Sequence, residues 1–350
     1  MIVGRVGSGN MPVEESGLQR RQLTLGVLAR SGKADERRLA IHPDHIGRID
    51  EGLRPQVFLE NGYGADFGAT DDGLAPFVGG IATREQIVAS CDVILLPKVQ
   101  AADLIEFRKG QTVWGWPHCV QDTELTQAAV ERRQTLIAFE AMNHWQPDGG
   151  FSLHVFHKNN EMAGYCSVLH AMALAGITGS YGRRLRATVL GFGATARGAV
   201  TALNAHGVDD VRVLTNRDVA AVAAPIHSTQ IFQMGADPDT PDQIWADTED
   251  GRVPVAELLA DNDIVVNCVL QDPTAPQVFA TTGDLAAFTP GSLVVDVSCD
   301  SGMGFDWARP TSFADPMIHL ANDVHYYAVD HSPSYLWNSA TWEISEALLP

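Results

Sequence analysis

A glycine-rich turn between a predicted strand and a predicted helix constrains the fold of this chain more than any other feature. The strand is Arg186 to Leu190, the turn contains Gly191 and Gly193, and the helix runs from Thr195 to Ala205. Gly191 permits a tight turn, Gly193 lets a pyrophosphate approach the backbone, and the small Ala196 allows close contact between helix and strand. The helix N-terminus adds free N–H groups and a positive dipole. The pattern predicts a dinucleotide site.

The end of the next predicted strand, Val211 to Leu214, indicates which dinucleotide binds. In NAD-binding sites this strand normally ends in a carboxylate that binds the adenosine ribose. Here Thr215, Asn216 and Arg217 follow it. Arg217, and Arg197 on the first helical turn, could bind a ribose 2′-phosphate instead, although both could equally be solvated surface residues. The sequence favours NADP(H), with NAD(H) as the alternative.

The length of 350 residues predicts two domains, because a single hydrophobic core rarely grows beyond roughly 250 to 300 residues. Short apolar segments alternate with amphipathic ones, which indicates βαβ units and mainly parallel sheets. A long helix from about Asn160 to Ala175 is expected to be buried between the domains. We therefore expect an α/β fold of two Rossmann-like domains with a cleft between them. The predicted parts are a flexible tail (1–22), a substrate domain (23–157 with 325–350) and an NAD(P)-binding Rossmann domain (158–324).

The other predicted elements follow the same alternation of strand and helix. The strands are Leu23 to Leu28, Gln56 to Glu60, Asp92 to Leu96, Thr135 to Phe139, Asp263 to Leu270 and Ser292 to Ser298. The helices are Pro43 to Glu51, Asp122 to Arg133 and Val253 to Leu259.

The net charge and the cysteine content indicate which binding partners and which cellular compartment to expect. The formal charge of −19 argues against nucleic acid and anionic membranes, because both require a positive protein face. Five widely spaced cysteines without a CxxC pair are typical of reduced thiols. No apolar run approaches the roughly 18 residues that span a bilayer, and the N-terminus has no apolar signal segment. We expect a cytoplasmic protein that binds small molecules.

Four polar segments near predicted strand ends carry side chains suited to binding and reducing a 2-oxo acid. Arg38 offers a fork for a carboxylate, Lys98 polarises a carbonyl or imine, and His118 exchanges a proton near neutral pH. Structural alternatives remain open, since Arg38 could pair with Glu36, Lys98 could be a surface lysine and His118 a buried, hydrogen-bonded histidine. Asp300, in the fourth segment, could simply cap the glycine-rich turn after it.

Histidines elsewhere do not predict a metal site. His319 and His325 are close in sequence, but no cluster of histidine and carboxylate with ligand spacing accompanies them. We therefore expect no metal.

The sequence resembles the alanine dehydrogenase and transhydrogenase superfamily, which also contains saccharopine dehydrogenases. The segment from Glu36 to Pro43 looks like its ExRxAxxP motif, the segment from Glu161 to Gly164 like its SExAG segment, and the segment from Tyr327 to Pro333 like its YAVxNxP segment. The resemblance implies that Arg38 binds the substrate carboxylate, that Lys98 and His118 are catalytic, and that Asp300 lies at the active site. It also implies that Asp330 and His331 lie near the nicotinamide, either contacting the cofactor or hydrogen bonding across the domain interface.

Within that superfamily the sequence looks most like the opine-type N5-(carboxyethyl)ornithine synthases. The shared stretches include Gly115 to Gln121, Val295 to Asp300 and Trp337 to Thr341. Such enzymes join pyruvate to the side-chain amine of ornithine or lysine and reduce the imine with NADPH. The resemblance implies the same reductive condensation of a 2-oxo acid with an amino acid. The alternatives are an amino-acid dehydrogenase that uses ammonia and a nucleotide-binding sensor without chemistry.

The differences from the family pattern affect the expected oligomeric state more than the catalytic residues. His42 replaces the usual threonine before Pro43, which leaves the catalytic residues intact. The sequence ends soon after the Ser-Pro segment, so the helices that alanine dehydrogenases use in packing are missing. A homo-oligomer is expected, but not necessarily the family's assembly.

Overall fold

The described chain forms two α/β units with a cleft between them. The structure is a computed structural model that describes residues 22–217, 229–237 and 240–349. The predicted tail, residues 1–22, lies outside this range apart from Gln22. Each unit is built around a sheet whose two faces carry separate clusters of buried apolar side chains. The predicted α/β class with two Rossmann-like sheets is confirmed.

The first sheet consists, over the described residues, of six parallel strands: β1 (Leu25–Val27), β2 (Val57–Glu60), β3 (Gly80–Ala82), β4 (Val93–Lys98), β5 (Thr112–Trp116) and β6 (Thr135–Ala138). Their order is β3-β2-β1-β4-β5-β6. In this order the chain reverses its winding between β1 and β4, which leaves a crevice at the carboxyl ends of these strands. A hairpin of β7 (Asn143–Trp145) and β8 (Phe151–His154) follows the sheet.

Helices connect these strands as the βαβ pattern requires: α1 (Asp71–Leu74), α2 (Arg84–Ser90), α3 (Ala101–Glu106) and α4 (Thr123–Glu131). The helix predicted over Pro43 to Glu51 is wrong in type. Pro43–Arg48 forms a 3-10 helix that contains Gly47, and the chain is extended again at Ile49. Glycine disfavours a longer α-helix at this point because it exposes the backbone and loses more conformational entropy.

The second sheet contains strands from 186 to 327: β9 (Arg186–Leu190), β10 (Asp210–Thr215), β11 (Thr229–Asp237), β12 (Thr240–Thr248), β13 (Gly251–Pro254), β14 (Ile264–Asn267), β16 (Leu293–Asp296), β18 (Met317–His319) and β19 (His325–Tyr327). A separate pair consists of β15 (Val278–Ala280) and β17 (Gly304–Phe305). The order is β13-β12-β11-β10-β9-β14-β16-β19-β18.

The centre of this sheet repeats the winding of the first one. The strands from β11 to β19 in that order pair in parallel, whereas β12, β13 and β18 are antiparallel additions at the edges. A second crevice therefore lies at the carboxyl ends of β9 and β14. The sheet is mainly parallel, as the sequence predicts.

The chain crosses between the units twice. The first crossing is α5 (His157–Leu174), the predicted interdomain helix, which begins three residues before Asn160. After α6 (Ala194–Ala205) and α7 (Val255–Ala260), the chain returns to the first unit in α8 (Trp337–Leu348), where Ile344 joins the core of the first sheet. The predicted boundary at 325 needs correction, because β19 pairs with β16 and belongs to the second sheet. None of the helices in the described ranges has the length and apolar character to cross a membrane.

Candidate functional site

A cleft of about 800 Å³ lies where the carboxyl ends of the two sheets face each other. From the first unit it is lined by Lys33, Lys98 and His118, which follow β1, β4 and β5. The second unit contributes residues that follow β9, β14, β16 and β19: Thr195, Cys268, Asp300 and Asp330. The three residues predicted for catalysis therefore meet in one cleft with Thr195, which lies on the first turn of the helix directly after the glycine turn.

Lys98 ends strand β4 as a buried amine. Its residue is 9% exposed, and its backbone pairs with Trp116 on β5 after a shift in register. Burial lowers the pKa of Lys98, with the carboxylate of Asp330 acting in the opposite direction. Among the described residues no acceptor contacts its Nζ. An amine of this kind exchanges protons more readily than a solvated lysine.

His118 follows β5 in the left-handed region of backbone conformation, with φ at 48°. Its amide N donates a 2.8 Å hydrogen bond to Oε1 of Glu140, which fixes the backbone there. Burial, then the positive charges of Lys98 and Arg38, lower the pKa of His118 to about 3. The ring is therefore neutral at pH 7, and its nitrogens have no hydrogen-bond partner among the described residues.

Glu140, which the sequence analysis missed, contacts the cleft residue His118. It lies in a short 3-10 helix directly after β6. Oε1 holds His118, whereas the buried Oε2 has no hydrogen-bond partner in the described part of the chain. Burial raises the pKa of Glu140, and the nearby charge of Lys98 opposes that rise. Its position at a strand end, next to β5, is the signal that could have identified it.

Arg38 is buried behind the cleft and is held by Glu36. Nε and NH2 of Arg38 donate to the two oxygens of Glu36 at 2.8 Å and 2.5 Å, and NH1 donates to Asn159 at 3.1 Å. Arg38 also lies over the ring of Trp116 at 5.5 Å. Burial acts to raise the pKa of Glu36, but Arg38 outweighs it and lowers the pKa to about 2. Because a guanidinium has five N–H groups, two remain for another acceptor.

The loop after β16 carries Asp300 into the cleft. Asp296, at the end of β16, is buried and accepts hydrogen bonds from the amide of Cys299 at 3.1 Å and from Tyr326 at 2.9 Å. Cys299 itself has a left-handed backbone with φ at 49°. Asp300 is half-buried, and burial raises its pKa. An unpaired acid in such a place is stabilised by a cation.

Asp330 and His331 join the two units. Asp330 accepts from Nζ of Lys33 at 2.7 Å and lies 2.7 Å from Nδ1 of His331. Nε2 of His331 lies 3.0 Å from the carbonyl oxygen of Ala34. Burial acts to raise the pKa of Asp330, but His331, Lys33 and the charge of Lys98 outweigh burial and lower it. Of the two alternatives left open for His331, the structure contains the interface hydrogen bonds, and only Asp330 lines the cleft.

The glycine turn fits a pyrophosphate. Gly191 has φ at 91°, a left-handed conformation that favours glycine. A Cβ on Gly193 would meet no atom within 4 Å, so it would project into the open space beside the N-terminus of α6. Ala196 is completely buried against the sheet. The backbone geometry is the one that the three predicted roles require, and cofactor binding at this turn stays a prediction.

Two further glycines tie this turn to the interdomain helix. A Cβ on Gly164 of α5 would lie 1.9 Å from the carbonyl oxygen of Thr195, and one on Gly198 of α6 would lie 1.7 Å from that of Glu161. Only glycine allows the backbones of α5 and α6 to come so close. The sequence analysis assigned no packing role to this pair.

The residues after β10 present no carboxylate to a ribose. Thr215 is buried, and its Oγ1 accepts from the amide of Arg217 at 3.2 Å. Asn216 and Arg217 are exposed. Arg197, on the first turn of α6, lies over the ring of Phe192 at 4.6 Å. Within the described residues, the end of β10 therefore carries neutral and basic side chains.

Comparisons with known families agree with this geometry. The model of the alanine dehydrogenase/PNT N-terminal domain matches residues 27–163, and that of the alanine dehydrogenase/PNT C-terminal domain matches residues 164–350. The chain is 23% identical to N(5)-(carboxyethyl)ornithine synthase of Clostridium botulinum over 332 residues, covering 89% of each chain. It is 26% identical to alanine dehydrogenase of Halomonas elongata, covering 91% of this chain and 84% of the relative.

Solved structures show the same fold. An L-alanine dehydrogenase superposes with a TM-score of 0.70 at 18% identity, covering 94% of this chain and 88% of the other. A transhydrogenase from Sinorhizobium meliloti superposes with a TM-score of 0.68 at 19% identity, covering 93% and 92%.

Proposed function

This chain belongs to the alanine dehydrogenase/PNT family of NAD(P)-dependent oxidoreductases, and from that premise we propose that it joins a 2-oxo acid to the side-chain amine of an amino acid with NADPH. The observation that carries this proposal is that Lys98 and His118 line one cleft with Thr195, on the first turn of the helix that follows the glycine turn. The similarity to N(5)-(carboxyethyl)ornithine synthase supports the amino-acid amine as the nucleophile.

Arg38 binds the carboxylate of the 2-oxo acid in this proposal. Glu36 occupies one edge of the guanidinium and Asn159 takes a third N–H group, so two N–H groups remain, which suits a single further anion. We assign contact with the neighbouring carbonyl oxygen to the buried Lys98, whose pKa burial lowers and whose environment includes the charge of Arg38. Pyruvate satisfies both requirements with a carboxylate and a carbonyl on adjacent carbons.

The proton transfers fall to His118 and Lys98. The amine nitrogen attacks the carbonyl carbon and loses a proton to the neutral ring of His118. Lys98 donates a proton to the carbonyl oxygen to give a carbinolamine, and the protonated His118 returns its proton to that hydroxyl group, which leaves as water so that a protonated C=N bond remains. Bound NADPH supplies the hydride that reduces this bond to a secondary amine. Closure of the two units around the cleft would bring the reactants together and exclude water, and both effects would increase the reaction rate.

Asp300 binds the α-ammonium group of the amino-acid substrate in this proposal, whereas the side-chain amine must be neutral to attack. Its carboxylate lines the cleft and forms no ion pair with the described residues. Burial raises its pKa, and a bound ammonium group would restore the charged form. The same carboxylate would serve a diamine such as ornithine or lysine better than ammonia, which is small enough to bind without a dedicated acid.

NADPH is the proposed cofactor because the end of β10 lacks the ribose-binding carboxylate. The exposed Arg217 offers a fork for a 2′-phosphate at this position.

The test is NADPH oxidation with pyruvate against a panel of amines, with the product mass measured. We expect oxidation with ornithine or lysine and a product that carries the carbon skeleton of pyruvate on the side-chain amine. Oxidation with ammonia alone, giving alanine, would replace the proposal with an amino-acid dehydrogenase. Saturable NADPH binding without turnover on any pair would indicate a sensor.

A variant separates chemistry from binding. His118→Asn should lower kcat by about 10² to 10⁴ and leave the Kd for NADPH within about twofold. An unchanged kcat would remove His118 from the mechanism.

A further inference from the structure

We propose that His319, Asp323 and His325 form a binding site for a divalent transition-metal ion, with Zn²⁺ as the representative ion. Their ligand atoms all lie within 4.8 Å of one another. The cluster lies on the hairpin of β18 and β19 at the edge of the second sheet, and none of its members lines the cleft. The sequence analysis expected no carboxylate beside these histidines, and the structure corrects that expectation.

The two histidines face each other across the hairpin. His319 on β18 is directly opposite His325 on β19 in the antiparallel register. Their Nδ1 atoms are 2.9 Å apart, and the ring planes are inclined at 84°. Two nitrogens on one tetrahedral Zn²⁺ are about 3.3 Å apart, given Zn–N bonds of about 2.0 Å. The two Nδ1 atoms need to move apart by only a few tenths of an ångström for both to bind one ion. Exposed side chains can make such a movement.

The turn between the strands supplies the carboxylate. Asn322 and Asp323 both have left-handed backbones, with φ at 59° and 60°, as the two central residues of a type I′ hairpin turn do. Two left-handed residues in succession turn the chain back sharply, which brings Asp323 beside the histidine pair. Sequence spacing alone does not reveal this because neither residue is glycine.

The backbone of the turn is fixed before any ion binds. Nδ2 of Asn322 donates to the carbonyl oxygens of Leu285 at 3.2 Å and Phe288 at 2.7 Å. The carbonyl oxygen of Asp323 accepts from the amide of Gly291 at 3.1 Å, and Val324 is completely buried. A ligand set carried by an anchored turn loses less conformational entropy on binding than one on a loose loop.

The donor types select the class of ion. Two imidazoles and one carboxylate suit Zn²⁺, Co²⁺, Ni²⁺ or Cu²⁺, whereas Mg²⁺ and Ca²⁺ prefer oxygen donors throughout. No donor among the described residues contacts the carboxylate of Asp323, so it is available to an ion. With three protein ligands, water completes the coordination, and the ion cross-links the edge strand β18 to β19.

The experiment is isothermal titration of Zn²⁺ into the untagged, full-length chain after treatment with EDTA. We expect one saturable equivalent that is weakened at least about tenfold in His319→Gln and in His325→Gln, and less in Asp323→Asn. The matched control is His144→Gln, which changes an exposed histidine on strand β7 that faces Leu153 instead of a second histidine. The control should bind Zn²⁺ as the wild type does.

Two further measurements distinguish Zn²⁺ binding at this site from Zn²⁺ binding to the cysteines or in the cleft. Co²⁺ should give visible absorption that both histidine variants lose, and Mg²⁺ should give no heat of binding. Zn²⁺ should raise Tm in the wild type but not in His319→Gln, with both proteins melting together in EDTA. Equal Zn²⁺ affinity in the wild type and both histidine variants would overturn the proposal. If His325→Gln fails to fold, the exposed His319→Gln decides the question alone.

Discussion

The carboxylate of Glu36 binds one edge of the Arg38 guanidinium, with Oε1 2.8 Å from Nε and Oε2 2.5 Å from NH2. Their side chains are 2% and 4% exposed. The hydroxyl of Ser334 donates to the same carboxylate at 2.6 Å, from the segment that leads into α8. Glu36 therefore fixes the orientation of the Arg38 guanidinium. It also neutralises the positive charge of Arg38, which is buried away from water.

Replacing Glu36 tests this pair. Glu36→Gln leaves the Arg38 cation buried without its counter-ion, so we expect a loss of about 3 to 5 kcal/mol in the free energy of unfolding by urea. Glu346→Gln is the matched control, because Glu346 binds Arg48 at a similar 2.5 Å but is 42% exposed. The loss in this control should be much smaller, because solvent screens the exposed pair. Equal losses in the two variants would contradict the buried role of Glu36.

The low pKa of His118 predicts a pH dependence of stability. The ordinary pKa of 6.5 applies to the unfolded chain, whereas the folded value is about 3. Between these values the unfolded chain binds more protons, so stability is complete above pH 6.5 and falls as the pH falls toward 3. His118→Asn should therefore lose less stability than the wild type between pH 7 and pH 5 in urea titrations. His144→Asn should follow the wild-type slope, and identical slopes in all three proteins would refute the assignment.

Alanine variants of Gly193 and Gly198 should have different effects, the first on the affinity for NADPH and the second on thermal stability. Gly193→Ala places a methyl group in open space at a backbone φ of −86°, so Tm should stay within about 2 °C while the Kd for NADPH rises at least about tenfold. Gly198→Ala drives a methyl group against the backbone of Glu161 and should lower Tm by about 4 °C or more. Thermal melts and NADPH fluorescence titrations measure both effects. A loss of Tm in Gly193→Ala without weaker NADPH binding would reverse the assignment.

Arg217 should determine the preference for NADPH over NADH. Arg217→Gln removes a charge-assisted contact, so the Kd for NADPH should rise about tenfold, corresponding to roughly 1.4 kcal/mol, while the Kd for NADH stays constant. Arg184→Gln, which changes another exposed arginine, should alter neither value. Equal weakening of both nucleotides would place Arg217 away from the 2′-phosphate.

Local sequence patterns predicted the central strands β9, β14 and β16 of the second sheet because these strands are buried on both faces, but they missed β5 inside the first sheet. Strand β9 has the predicted bounds, and α6 begins one residue before the predicted Thr195. A continuous apolar run followed by a glycine turn depends only on neighbours in sequence. The antiparallel strands β12 and β13 escaped prediction because their polar, partly exposed residues lack a continuous apolar run.

The sequence predicted which residues lie in the candidate site, but it did not predict the contacts that those residues make with distant parts of the chain. Lys98, His118 and Asp300 follow strands, so their meeting in one cleft follows from the parallel topology. The partners that set their charge come from distant segments, as when Glu140 holds the backbone of His118. Such contacts depend on how the units pack together, which no local pattern encodes. The roles of these residues in catalysis remain predictions.

The double passage of the chain between the two units limits the ways in which they can move. A single linker would let one unit swing and twist freely about the other. Here α5 and the segment from Tyr327 to Trp337 form two covalent connections, so the allowed motion is rotation about the line that joins them. Cutting the gene after α5 would yield a first unit that lacks α8 and exposes the apolar surface that Ile344 covers. The two units are therefore inseparable as folding modules, although each has its own sheet.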